Sequence, residues 1–108
     1  MIRNGRTVTL GDTFVQELER TEKYVGRTIP GRGRKFVSDV SDFLFETLAP
    51  LPLAYPAYVY QPIVGMSLRR AIFRKEYVIF YGVSDTEVSF VFFHHSSRNS
   101  PDLSFLDN

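Results

Sequence analysis

Residues Met66 to Arg98 read MSLRRAIFRKEYVIFYGVSDTEVSFVFFHHSSR, and this stretch decides the fold. Three runs rich in β-branched and aromatic residues are separated by two short polar interruptions, the pattern of consecutive strands. Met66 to Phe73 alternates Leu68, Arg70 and Ile72 against Arg69, Ala71 and Phe73. Tyr77 to Val83 is apolar on both faces, as expected of a central strand covered from both sides. Val88 to Phe93 is a third strand that ends in His94-His95. Arg74-Lys75 is the first turn, without the Asn-Gly or Asp-Gly pair that favours tight hairpins, and Ser84-Asp85-Thr86 is the second.

Working back toward the N-terminus, Leu51 to Val64 is apolar but punctuated by Pro52, Pro56 and Pro62, which predicts an extended wrap over the core with the rings of Tyr55, Tyr58 and Tyr60 turned inward. Gly65 releases the chain into the sheet. Before the wrap, Phe36, Val40, Phe43, Leu44, Thr47 and Leu48 recur at helical spacing, with Asp39, Asp42 and Glu46 facing away. That helix is expected to stop at Pro50, because a proline biases its predecessor out of the α region. Another amphipathic pattern, Phe14, Leu18, Thr21 and Val25, predicts a helix over 13–26 that stops at Gly26. Asp12 or Thr13 is its expected N-cap, and Thr13 with Gln16 has capping-box spacing. Arg6 to Leu10, RTVTL, is a short strand. The expected architecture is α+β: an N-terminal strand, then an antiparallel α-helical hairpin packed on an antiparallel sheet with a three-stranded C-terminal meander.

Composition narrows the functional classes. The chain has 108 residues and no cysteine, so one domain over 1–108 with no disulfide, thiolate metal site or thiol nucleophile is expected. The lack of cysteine fits a reducing cytoplasm. A net charge of +1 means that any polyanion binding must come from local clusters. Residues 47–68 carry no charge, yet four prolines oppose a membrane-spanning helix there. Ten phenylalanines and six tyrosines are difficult to hide in a small two-layer domain, which predicts an exposed aromatic surface for a partner.

Three segments in order carry a family resemblance. Gly65-Met66-Ser67-Leu68-Arg69-Arg70 resembles the arginine-bearing strand start of the ParE/RelE toxins of bacterial toxin–antitoxin pairs. Tyr77-Val78-Ile79-Phe80-Tyr81-Gly82-Val83 resembles their "yxIxYxV" strand. Val91-Phe92-Phe93-His94-His95-Ser96-Ser97-Arg98-Asn99 resembles their "vlHgaRD" strand exit, with His95 and Arg98 at matching spacing. The first helix departs from the family's alanine-rich opening, and Asn99 stands where aspartate is common. The resemblance implies a ParE-like toxin that inhibits a bacterial enzyme, DNA gyrase, and is neutralised by a cognate antitoxin protein, with DNA contacted only through that antitoxin. One alternative is a RelE-like ribosome-dependent mRNA endonuclease, with Arg70, Arg74, Lys75, His95 and Arg98 stabilising the transition-state phosphate. Another is a non-toxic relative that acts in transcriptional autoregulation.

Target-binding candidates are Arg32, Arg34 and Lys35 in the basic segment 27–35, with Arg70, His95 and Arg98. Competing readings make Arg69 or Arg70 a structural ion pair with Glu87 or Asp102, and the basic segment a solvated loop. Gly31-Arg32-Gly33-Arg34-Lys35 lacks the glycine spacing and terminal Ser/Thr of a phosphate-binding loop. His94 and His95, adjacent on a strand, project oppositely and cannot chelate one ion, so neither a metal nor a cofactor is expected.

Overall fold

A computed structural model of the chain describes residues 2, 3, 5–96, 103 and 106. The elements are β1 (Ile2–Arg3), β2 (Arg6–Leu10), α1 (Asp12–Val25), α2 (Arg32–Asp42), β3 (Ser67–Phe73), β4 (Tyr77–Val83) and β5 (Glu87–His95). They form one five-stranded sheet in the order β1-β2-β5-β4-β3. The meander β3-β4-β5 is antiparallel as expected, but β2 joins β5 in parallel, pairing Val8 with Val88 and Leu10 with Phe90, so the sheet is mixed. β1, which the strand patterns above do not include, forms a small hairpin with β2 around Gly5 at φ 82.

Both helices lie on one face of the sheet. α1 begins after Gly11 with no side-chain cap, so neither Asp12 nor the Thr13–Gln16 box closes its first turn; the Gly11 carbonyl instead accepts from the Val15 amide at 3.0 Å. α2 continues into a π-helical turn over Phe43–Leu48, closed by the Ala49 amide donating to the Leu44 carbonyl at 2.8 Å. The extra residue in that turn lets Leu44, Leu48 and Ala49 all bury toward the sheet before Pro50 removes the next donor. Two glycines make the hairpin possible. Gly31 caps α2 at φ 83, a conformation that L side chains avoid. Gly33 packs directly on α1, where an added Cβ would sit 2.5 Å from the Glu22 carbonyl oxygen.

β4 is buried along its whole length. Tyr77, Ile79, Tyr81 and Val83 face the helices with Phe14, Phe36, Val40, Phe90 and Phe93, whereas Val78 and Phe80 face a second cluster with Leu68, Val91 and Leu103. Where the β4–β5 register slips between Phe80 and Tyr81, Val91 is the extra residue: Phe80 pairs with Phe92 and Tyr81 with Phe90. A β-bulge of this kind changes which side chains share a face. Phe90 and Phe93 therefore both reach the helices, and His95 follows Phe93 to that side. Unbroken alternation from Val88 would have sent His94 there instead.

The second face is covered by the wrap. Ala57 bridges Arg69 on the outer edge of β3, the Tyr58 amide donates to Leu68 O at 2.8 Å, and the Gln61 amide group both donates to and accepts from the Leu68 backbone at 3.0 and 2.8 Å. Tyr55 and Tyr58 turn inward as expected, but Tyr60 stays at the surface. Among the described residues, no helix is long and apolar enough to cross a membrane.

Candidate functional site

The turn between β3 and β4 is the first unusual feature. Arg74 and Lys75 both take left-handed backbone angles, with φ 53 and 63. Two successive left-handed residues in a hairpin turn suit Asn-Gly or Gly-Gly best, and non-glycine residues there carry a cost of roughly 1–2 kcal/mol each. What holds Arg74 is its side chain. Its guanidinium lies over the rings of Phe73 (5.0 Å) and Phe36 (6.0 Å) and donates to the Asp39 carboxylate of α2. Lys35 reaches the same carboxylate at 3.2 Å. The Arg74 hydrogen bond, then Lys35, holds the Asp39 carboxyl below its ordinary value of 3.8. Asp39 thus stays charged and pins two cations to one end of the helical hairpin.

At that end two cavities meet at Tyr77. The first, about 410 Å³, is walled by Val25, Arg32, Lys35, Phe36, Asp39, Arg74, Glu76 and Tyr77. The second, about 480 Å³, lies between the last turns of α1 and the end of β5, with Arg20, Thr21, Lys23, Tyr24, Arg27 and His95 around Tyr77. Tyr77 stacks on Phe93 at 5.3 Å and meets His95 edge-on at 5.0 Å. Burial raises the Tyr77 phenol above its ordinary value of 10.0, so this shared wall is a neutral hydrogen-bonding group rather than a base near neutral pH.

The residues singled out in the sequence separate into groups. Arg32, Lys35 and Arg74 converge on the first cavity, and His95 lines the second. Arg34 and Lys75 are exposed nearby without lining either. Arg70 is on the opposite face of the sheet, its guanidinium 5.6 Å over Tyr58, which in turn meets Phe80 edge-on. Arg98 lies outside the described residues, as do Asn99 and Asp102. Arg69 turns toward the helix side and donates to the Tyr55 carbonyl at 2.5 Å. Glu87 is engaged by β2, accepting from the Thr9 hydroxyl at 2.9 Å, and does not pair with either arginine. His94 stacks on Phe92 at 6.0 Å on the second face, so the two histidines point apart as expected. Among the described residues, no three histidine, aspartate or glutamate side chains are grouped as metal ligands would be.

Sequence reasoning did not single out Arg20, Lys23, Tyr24, Arg27 and Tyr77 as one site. Arg20, Lys23 and Arg27 recur at three- and four-residue spacing, one face of a helix and the residues just past it, and this was the available signal.

No protein-family model matches the sequence, and no curated protein matches it. Solved structures do. A chain of the ParDE toxin–antitoxin system from P. aeruginosa superposes with a TM-score of 0.64 at 13% identity, covering 84% of this chain and 96% of that one. A chain of the RelBE2 toxin–antitoxin complex from Mycobacterium tuberculosis gives 0.58 at 20% identity, with 87% and 94% covered. YafQ from E. coli gives 0.53 at 16% identity, with 85% and 94% covered. The chain has the ParE/RelE toxin fold. In this chain the end of the helical hairpin beside the meander carries the strained Arg74-Lys75 turn, the Asp39 clasp and the two cavities.

Proposed function

We propose that the chain is the toxin of a type II toxin–antitoxin pair, acts in the cytoplasm as a single domain, and works by binding rather than by cutting RNA. Its target on this reading is DNA gyrase, engaged by the basic end of the helical hairpin through Arg32, Arg34 and Lys35. The observation that carries the choice is the division of the cations. Arg32, Lys35 and Arg74 gather on one side of the sheet, while Arg70, the first residue of the nuclease set, stands over Tyr58 on the other. A phosphate-cleaving centre needs its cations to converge on one developing charge. A binding surface needs only a patch of one sign.

The fold supports the toxin reading, since two of the matching structures come from toxin–antitoxin systems. Exposed Leu51 and Val64 on the wrap, 67% and 99% accessible, supply apolar area for an antitoxin to cover. Inducible expression tests the choice of target. Arrest with a DNA-damage response and intact mRNA is the expected outcome. Rapid mRNA cleavage with translation arrest would transfer the assignment to a RelE-like nuclease, and growth unaffected by induction would leave a non-toxic, autoregulatory partner of the antitoxin.

A further inference from the structure

The cavity between α1 and the end of β5 is not needed for the binding surface proposed above. Three of its lining residues, Arg20, Lys23 and Arg27, are permanent cations, His95 is a fourth nitrogen group, and no carboxylate is among its lining residues. Glu17 pairs with Arg20 at 3.2 Å from one side, leaving Lys23 and Arg27 to set the sign of the interior. Cations near a helix C-terminus already offset the partial negative charge there. That effect does not call for the rest of the wall, which is aromatic. Tyr24 is 67% exposed, with the Arg27 guanidinium 5.5 Å over its ring, and Tyr77 closes the floor as a neutral phenol. A cavity of about 480 Å³ is in the size class that encloses small organic ligands.

We infer that this cavity binds a compact organic anion that carries a flat ring, of the nucleoside monophosphate class. The phosphate lies among Lys23, Arg27 and Arg20, and the base takes the place of the Arg27 guanidinium on Tyr24. Stacking on an exposed tyrosine and charge-assisted bonds to a phosphate are each sequence-tolerant contacts of known strength. The neighbouring cavity differs: Asp39 and Glu76 share its wall with Arg32, Lys35 and Arg74, and Asp39 already engages two of those cations. The anion is therefore assigned to the cavity with no carboxylate in its lining, whose volume of about 480 Å³ suits a single nucleotide.

Calorimetric titration of the full chain with AMP and GMP, with adenosine and pyrophosphate as partial probes, tests the inference. Binding with Kd below about 1 mM is expected for at least one nucleotide, with adenosine and pyrophosphate each at least tenfold weaker. Lys23→Ala and Tyr24→Ala are both surface changes and should each weaken nucleotide binding about tenfold while the far-ultraviolet circular dichroism stays unchanged; Arg70→Ala, on the other face, should leave it unaltered. Pyrophosphate binding as tightly as the nucleotides, with Tyr24→Ala indifferent, would reduce the site to a simple anion cluster and overturn the inference. So would no binding by either nucleotide. Toxicity of the same variants is scored separately, so loss of nucleotide binding and loss of toxin action are distinguishable.

Discussion

The two faces of the sheet begin from adjacent arginines and end differently. On the helix side Arg69 is tied to the Tyr55 carbonyl above a continuous aromatic layer of Phe14, Phe36, Tyr77, Phe90 and Phe93, closed by two helices. On the other side Arg70 lies over Tyr58, and the apolar patch of Leu68, Val78, Phe80 and Val91 is covered by an irregular wrap and Leu103. Regular elements close the first face, satisfying their own backbone groups while they bury side chains. A proline-interrupted segment closes the second with a few bonds from Tyr58 and Gln61. Most of the buried apolar side chains therefore lie on the helix face, and the second face has a smaller core under irregular chain.

The largest expected effect tests that division directly. Phe14→Ala, at a fully buried site, should destabilise the chain by about 3–5 kcal/mol. Tyr58→Ala, at a partly exposed site on the wrap, should cost roughly 1 kcal/mol; urea titration compares the two, and equal losses would erase the distinction.

Alkali probes the helix face next. Burial pushes the Tyr81 phenol up to about 12, and its hydroxyl donates to the Pro52 carbonyl at 2.9 Å. Because the folded value is raised above the ordinary 10.0, the stabilisation is complete below pH 10 and is lost as pH rises toward 12. The loss should be on the order of 2–3 kcal/mol, and Tyr81→Phe should flatten the decline.

Gly33→Ala attacks the contact between the helices, since its Cβ would press on the Glu22 carbonyl oxygen at 2.5 Å. A loss of about 1–3 kcal/mol is expected, with displaced amide resonances along α1 and little change on the second face. The smallest effect has the opposite sign. Lys75→Gly relieves a left-handed residue with φ 63 and should stabilise the hairpin by about 1 kcal/mol. A destabilised glycine variant would mean that the Lys75 side chain has a structural role.

Much of the architecture was legible because strand and helix periods differ. The apolar run of Tyr77–Val83 announced a strand covered twice, and Pro50 announced the end of the second helix. The parallel pairing of β2 with β5 was not legible, because nothing local in RTVTL specifies a neighbour about eighty residues away. β1 was missed although Asn4-Gly5 is a strong hairpin signal; two residues are too few for alternation to register. The cap of α1 went wrong because several polar residues in a row offered caps and the backbone of Gly11 served instead.

At the site, Arg32, Lys35, Arg74 and His95 could be named from charge and motif. Their division from Arg70 follows from strand alternation, which the sequence does display. The face taken by His95 depends on the bulge at Val91, and no residue there marks it in advance. The spacing of Arg20, Lys23 and Arg27 marks one helix face, but only the end of β5 beside them makes a cavity of it.

The most direct test of the central claim is supercoiling by purified DNA gyrase titrated with this chain. Inhibition should be weakened at least tenfold by reversing the charges of Arg32, Arg34 and Lys35 to glutamate, and should persist in Arg70→Ala. Unimpaired supercoiling, together with mRNA cleavage on ribosomes that is lost in Arg70→Ala, would contradict the account.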